Sequence, residues 1–205
     1  MALTIRPADI IKARVIDLLI EKFDGVIIGD EVKYGTSRKI VDLLALHNGK
    51  TYAIEIKSSK DDLRRLPEQI AEYSKIFDHT LVFTTADHLS KIKEVVKSKI
   101  SVFELGDNEQ IKGRLFAKRN KVLKSEMLAT MNASYIQKKL SISQFKDSDD
   151  IRKKAMRYKK EDIHSLLYRY FFEKCSMSFE LFMKERNKRT EVDDLTILSN
   201  RLNVE

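Results

Sequence analysis

Val41-Asp42-Leu43-Leu44-Ala45-Leu46-His47-Asn48-Gly49-Lys50-Thr51-Tyr52-Ala53-Ile54-Glu55-Ile56-Lys57 is the stretch on which the fold depends. Asn-Gly between two apolar runs signals a hairpin, because a type I′ turn needs positive φ at both central residues. A two-residue loop at Asn48 and Gly49 also sets the register. Val41 then faces Ile56, Leu43 faces Ile54 and Ala45 faces Tyr52, which makes one face apolar. On the other face Leu46 meets Thr51, Leu44 meets Ala53, and Asp42 meets Glu55. Side chains alternate along a strand, so Lys57 shares the face of Glu55.

Directly opposed residues of an antiparallel pair have Cβ atoms roughly 4.5–5.5 Å apart. Asp42 and Glu55 therefore repel each other between strands that are otherwise apolar on both sides, where water screens poorly. A solvated hairpin edge is the alternative for an Asp, a Glu and a Lys on one face, and the apolar neighbours argue against it. A hard divalent cation such as Mg2+ is the natural compensation, since it prefers carboxylate and carbonyl oxygens and keeps waters for substrate. Lys57 could then orient or deprotonate an attacking water, or stabilise charge developing on a phosphorane.

Working outward, Ile10, Ile11, Val15, Leu18, Leu19 and Phe23 follow helical spacing, so a helix is expected over 8–23 with Gly25 ending it. Val26 to Val32 reads as a strand, and residues 34–39 as a polar connection. Beyond the hairpin, residues 58–66 form a charged turn and Pro67 opens a helix running to about Phe77. Strands are expected over 79–85, 100–105 and 110–117, with a helix through Leu89, Ile92, Val95 and Val96. From Val122 to Leu140 and from Asp149 to Cys175 the apolar spacing is helical, with a further short helix near 178–188. The fold class expected is α/β, a mixed central sheet flanked by helices, with a core over 1–118 and a basic helical extension over 119–205 packed on it.

The charge distribution follows that division. Residues 1–105 carry a net charge of +1 and residues 106–205 a net charge of +7. A basic appendage beside a near-neutral core is one electrostatic footprint of nucleic-acid binding, and solubility is the other reading. No apolar run approaches the roughly 18 residues of a membrane span, and the N-terminus lacks the apolar segment of a signal peptide. The lone Cys175 excludes an internal disulfide and suits a reducing compartment, so the chain reads as cytoplasmic.

At Val41-Asp42 and Glu55-Ile56-Lys57 the chain resembles the PD-(D/E)xK nuclease superfamily, whose signature is an Asp at a strand start and a hairpin partner carrying Glu-x-Lys. Val41 stands where that family usually has proline. Gln69-Ile70-Ala71-Glu72-Tyr73 is similar to the Gln-x-x-x-Tyr of the RecB-like branch, and positions i and i+4 share a helix face. The likeness is closer to a lineage of small bacterial, phage and plasmid members, through Glu31, Asp42, Glu55-Ile56-Lys57-Ser58, Leu63–Pro67 and Gln69–Phe77. The resemblance implies a restriction-endonuclease-like core. It also implies a site of Asp42, Glu55, Lys57, Glu31, Gln69 and Tyr73, with Mg2+ or Mn2+ held by Asp42, Glu55, the Ile56 carbonyl and Glu31. The superfamily includes inactive and purely structural members.

Arg64 and Arg65 could clamp a phosphate, and Arg152, Lys153, Lys154 and Arg157 offer phosphate contacts along a helix. Asp17 and Glu21 could supply a second carboxylate, with a solvated helix face as the alternative. Tyr168, Tyr170, Phe171 and Phe172 sit at helical spacing, which suits core or subunit contacts better than base stacking. The four histidines show no ligand spacing and read as surface or strand-end residues. Three functions follow as expectations: a metal-dependent deoxyribonuclease, with RNA as the other candidate substrate; an inactive nucleic-acid-binding module of a repair, mobile-element or defence complex; and an adaptor that pairs with itself or a partner protein through its C-terminal helices.

Overall fold

Asn48 (φ 47°) and Gly49 (φ 71°) both adopt the left-handed backbone that a type I′ turn requires. The computed structural model describes residues 6–96, 100–106, 108, 110–112, 118–142 and 147–199. Strands β2 (Lys39–His47) and β3 (Lys50–Lys57) close on that turn in the expected register, from His47–Lys50 to Leu43–Ile54. Strand β1 (Ile27–Tyr34) pairs antiparallel with β2. On the other side β4 (His79–Thr85) and β5 (Ser101–Leu105) continue in parallel, and β6 (Ile111–Lys112) ends the sheet antiparallel to β5. The result is a six-stranded mixed sheet in the order β1 to β6. Of the strand expected over 110–117, residues 113–117 lie outside the described residues.

Each parallel step needs a crossover, supplied by helices α2 (Leu66–Ile76) and α3 (Ala86–Val96). Strand alternation divides the core. Leu43, Ala45, Ile54, Ile56, Leu81 and Phe83 face helix α1 (Pro7–Lys22), whose Ile11, Val15, Ile16 and Leu19 are buried against them. Leu44, Leu46 and Ala53 face the opposite way, against α2 and the C-terminal helices. Val41 joins this second cluster rather than facing Ile56. The backbone pairing of β2 with β3 stops at Leu43–Ile54, and the Ile56 N–H donates to the Asp42 carboxylate at 2.8 Å.

The C-terminal half is helical as expected, with different breaks. Residues 122–140 form two helices, α4 (Lys124–Thr130) and α5 (Ala133–Lys139), because Met131 and Asn132 are extended. Arg152 donates to the Leu128 and Met131 carbonyls at this break, each at 3.4 Å. After α6 (Ser148–Ala155) a single helix α7 runs from Lys160 to Glu185, merging two segments expected to be separate. Its buried stripe of Leu167, Phe171, Cys175, Phe179 and Phe182 never falls out of helical phase. A short α8 (Leu195–Leu198) follows, and Ser199 bridges to Asp30 at the edge of β1. Among the described residues no helix is long and apolar enough to cross a membrane.

Candidate active site

Beta-strand β1 is regular up to Asp30, then Glu31 takes a φ of 53°, a left-handed conformation unfavourable for an L side chain. Pairing resumes at Val32–Val41, so the β1–β2 ladder is interrupted opposite Asp42. Asp42 in turn lies one step beyond Leu43–Ile54, across from Glu55. Glu31 and Asp42 thus lie at the unpaired step between Asp30–Leu43 and Val32–Val41, and the Glu55 charge acts on Asp42 from the neighbouring strand.

Glu55 is only 1 % exposed, yet every lone-pair direction it uses is answered. Its Oε1 accepts from Lys57 Nζ at 2.8 Å and from Gln69 Nε2 at 2.7 Å, and its Oε2 accepts from the Tyr73 hydroxyl at 2.6 Å. Gln69 and Tyr73 reach it together because α2 places them one turn apart on one face. Tyr73 is held by edge-on contacts with Tyr34 (5.3 Å) and Phe77 (5.8 Å). Burial, and then the Glu55 charge, push the Tyr73 pKa up, so its hydroxyl stays a donor. The remaining amide oxygen of Gln69 is buried and without a hydrogen-bond partner.

Asp42 is the strained member. Burial raises its pKa and the neighbouring Glu55 charge raises it further, against the Ile56 N–H, Lys12 and Lys57, which pull it down. Two residues that sequence reasoning passed over join this end of the sheet. Lys12, 5 % exposed, sends its Nζ to Asp30 at 2.7 Å and approaches Glu31 at 3.7 Å. Asp30 is itself pushed up to about 6, by burial that Lys12 only partly offsets. The signal for Lys12 was present: Lys12, Val15, Ile16 and Leu19 fall on one helical stripe, and a lysine heading an apolar stripe marks a buried charge.

The other expected residues separate from this cluster. Arg64 and Arg65 are exposed in the turn before α2, and Arg64 bonds back to Asp62. Arg152 turns inward to main-chain carbonyls, Lys153 pairs with Asp150 at 3.5 Å, and Lys154 and Arg157 are exposed on and just after α6. Asp17 is not a solvated residue: it accepts from Arg14, Arg186 and Thr190, tying α1 to the chain beyond α7. Tyr170 and Phe171 are core residues, Tyr168 is half-buried and Phe172 exposed. His47 and His79 stack on Phe23 and Tyr52 near the strand ends. His164 departs from the surface reading, because its Nε2 lies 2.7 Å from the buried Asp78 carboxylate.

Residues 1–199 match the family model described as bacteriophage P4 protein cII. The chain belongs to the phage P4 cII family. All of the residues described from Lys12 to Tyr73 fall inside that family match. Protein cII of Enterobacteria phage P4 is 30 % identical over 122 residues, a segment covering 53 % of this chain and 46 % of that protein. The chain therefore aligns with less than half the length of that curated relative. Among solved structures, the SPO1766 protein of unknown function from Silicibacter pomeroyi overlays with a TM-score of 0.44 at 18 % identity, covering 68 % of this chain and 92 % of the other. That overlap is too loose to define a shared fold.

Proposed function

We propose that the chain is a divalent-metal-dependent nuclease of the PD-(D/E)xK type that hydrolyses DNA phosphodiester bonds. The observation that carries this reading is Glu55: a buried carboxylate gripped by Lys57, Gln69 and Tyr73 and set beside Asp42. Burying one acid beside another costs stability, and arrangements of that kind cluster at functional sites. Four carboxylates (Asp30, Glu31, Asp42 and Glu55) share this end of the sheet with two ammonium groups, Lys12 and Lys57. The pKa of Asp42 is raised by burial and by the Glu55 charge, which the Ile56 N–H, Lys12 and Lys57 only partly offset.

The donor set fits a hard cation. Among the described residues no three or more Asp, Glu, His or Cys side chains form a metal cage. Mg2+ or Mn2+ would instead rest on Asp42, Glu55, the Ile56 carbonyl and waters, with Glu31 as a further acidic residue. Mg2+ is commonly held this way. Each carboxylate oxygen has two acceptor positions, so Glu55 can keep its present donors and still offer a ligand. When bound, the ion would supply a more acidic water and neutralise phosphate charge. Lys57 is held 2.8 Å from Glu55, where it can orient the attacking water or stabilise the phosphorane. Tyr73 and Gln69 fix the Glu55 carboxylate, and the spare Gln69 oxygen can accept from that water.

Cleavage of labelled DNA and RNA with Mg2+ and Mn2+ tests the reading. Asp42→Ala and Lys57→Ala should each lose at least about 100-fold in rate, the scale of removing one preorganised electrostatic partner. Variants that cleave as fast as wild type would end it.

One observation favours a second reading. Three donors within the chain already hold Glu55, as suits a nucleic-acid-binding module that keeps the fold without turnover in a repair, mobile-element or defence complex. Salt-sensitive DNA binding that survives chelation, without cleavage, is its expected outcome.

A further inference from the structure

The turn between β1 and β2 leans on the helical layer away from the carboxylates. The Gly35 N–H donates to Thr130 Oγ1 and Arg38 Nη2 donates to Asn132 Oδ1, both at 3.3 Å. Beside these contacts is a cavity of about 380 Å³, lined among others by Lys33, Arg38, Arg152 and Lys174. That is room for a ligand of several heavy atoms, since one water occupies roughly 30 Å³. Its one carboxylate, Asp149, is exposed and lies 3.9 Å from Arg152. Among the described residues no carboxylate pairs with Lys33, Arg38 or Lys174. Lys174 instead lies over the Tyr170 ring, 4.6 Å from its centroid.

Arg38 also holds a φ of 52°, which costs an L residue energy and persists only where the surroundings enforce it. The docked turn enforces it here. Arg152 is engaged by Asp149 and by main-chain carbonyls, which leaves Lys33, Arg38 and Lys174 as the pocket's cations for a ligand. Three cations among neutral donors have the chemistry of an anion site, and a guanidinium matches phosphate in geometry as well as charge. The pocket is on the Glu55 side of the sheet: Met131 and Tyr170 of its lining share a core cluster with Tyr73. Arg38, in the turn just before β2, precedes Asp42 by four residues, or ~13 Å at the strand rise.

We propose that this cleft binds a phosphate group, carried by the nucleic-acid strand whose neighbouring segment lies at Asp42 and Glu55. The strand assignment rests on the nuclease reading above. At ~3.4 Å of axis per phosphate on one strand, the two places are about four nucleotides apart. Arg38, Lys33 and Lys174 would thus fix the register of the strand while Lys57 serves the reacting phosphate.

Fluorescence anisotropy of labelled single-stranded and duplex oligonucleotides across a salt series, without metal, provides the test, alongside calorimetric titration with pyrophosphate. The doubly substituted Arg38→Gln/Lys174→Gln protein should bind the oligonucleotide about 10-fold more weakly. Its log–log salt slope should be shallower by about one to two, the signature of lost phosphate contacts. Should the double variant melt early, Lys33→Gln/Lys174→Gln replaces it, leaving the turn intact. Unchanged oligonucleotide affinity, slope and pyrophosphate binding would overturn the proposal. Pyrophosphate binding lost in the variant, from a wild type that binds no oligonucleotide, would assign the pocket to a free phosphoanion and remove the nucleic-acid reading. Weakened oligonucleotide binding in the variant, from a wild type that never cleaves with Mg2+, would keep the phosphate site and remove the nuclease alone.

Discussion

The two ends of strand β3 each bury carboxylates, and they neutralise them in different ways. Near Thr51, Asp78 is 1 % exposed and accepts from the Thr51 N–H (3.0 Å) and hydroxyl (3.2 Å), with His164 Nε2 at 2.7 Å and Lys50 Nζ at 4.0 Å. Burial alone would raise its pKa, but His164 and the Thr51 N–H outweigh burial and hold the carboxyl below its ordinary range. Near Glu55, burial leaves Asp42 and Asp30 shifted upward despite Lys12 and Lys57. A carboxylate whose partners are all internal is an anchor for the fold. Carboxylates that burial shifts upward are costlier to ionise, and the proposed cation would offset that cost.

Removing an anchor should have the largest effect on the folded state. Asp78→Ala leaves the Thr51 N–H and His164 without their acceptor, and breaking such a buried set costs about 3 kcal/mol. Urea titration should read this as a lower midpoint, with divalent-metal binding at Asp42 intact in the surviving folded protein. Equal stability would show that the Asp78 system is not an anchor, and the contrast between the two ends would fail.

Next in size is Tyr73→Phe, which removes one donor from buried Glu55; hydrogen bonds to charged groups are worth about 1.5–3 kcal/mol. If Tyr73 fixes Glu55 for a metal, added Mg2+ should recover less stability in this variant than in wild type. A wild-type response to Mg2+ would leave Tyr73 a packing residue.

The smallest effect is the most diagnostic, because the two ends should respond to pH with opposite signs. Asp30 keeps its proton in the folded state up to about 6. Between about pH 4 and 6 the folded protein therefore binds more protons than the unfolded chain, and metal-free stability falls as pH rises. Asp42 is shifted the same way and extends this decline. Asp78 is shifted down, so its contribution is present above the ordinary carboxylate range and lost as acidification reaches its folded pKa. Stability measured in steps of pH should show the decline flattened in Asp42→Asn and the acid loss flattened in Asp78→Asn. Excess Mg2+ should lift the neutral end in wild type and not in Asp42→Asn.

How much of this was legible in the sequence follows from how local each signal is. Asn48-Gly49 fixes a turn by itself, and a period of two carries the register back to Asp42 and Glu55, so the hairpin and its acidic pair were readable. Gln69 and Tyr73 were readable only through the likeness to a Gln-x-x-x-Tyr pattern, and the helix turn that joins them takes both to Glu55. Lys12 and Asp30 were not paired in advance, since nothing local says that α1 crosses this end of β1. His164 was read as a surface residue because its partner lies 86 positions earlier, at Asp78. Arg152 looked like one of four equivalent cations along a helix, whereas its guanidinium holds the break between α4 and α5. Continuous apolar phase through Cys175 could have revealed that α7 does not stop there.

That helix has a consequence for how the molecule comes apart. At 26 residues α7 is ~39 Å long at ~1.5 Å per residue. Its first half places Leu167, Tyr170 and Phe171 in the core on the Glu55 side, and its second half places Phe179 and Phe182 in the core under α1. Neither layer can open fully while the other keeps its grip on the same rod. Amide protons on both faces should then exchange through one cooperative opening, and the strands that carry the carboxylates inherit the protection of the whole domain rather than that of a single layer.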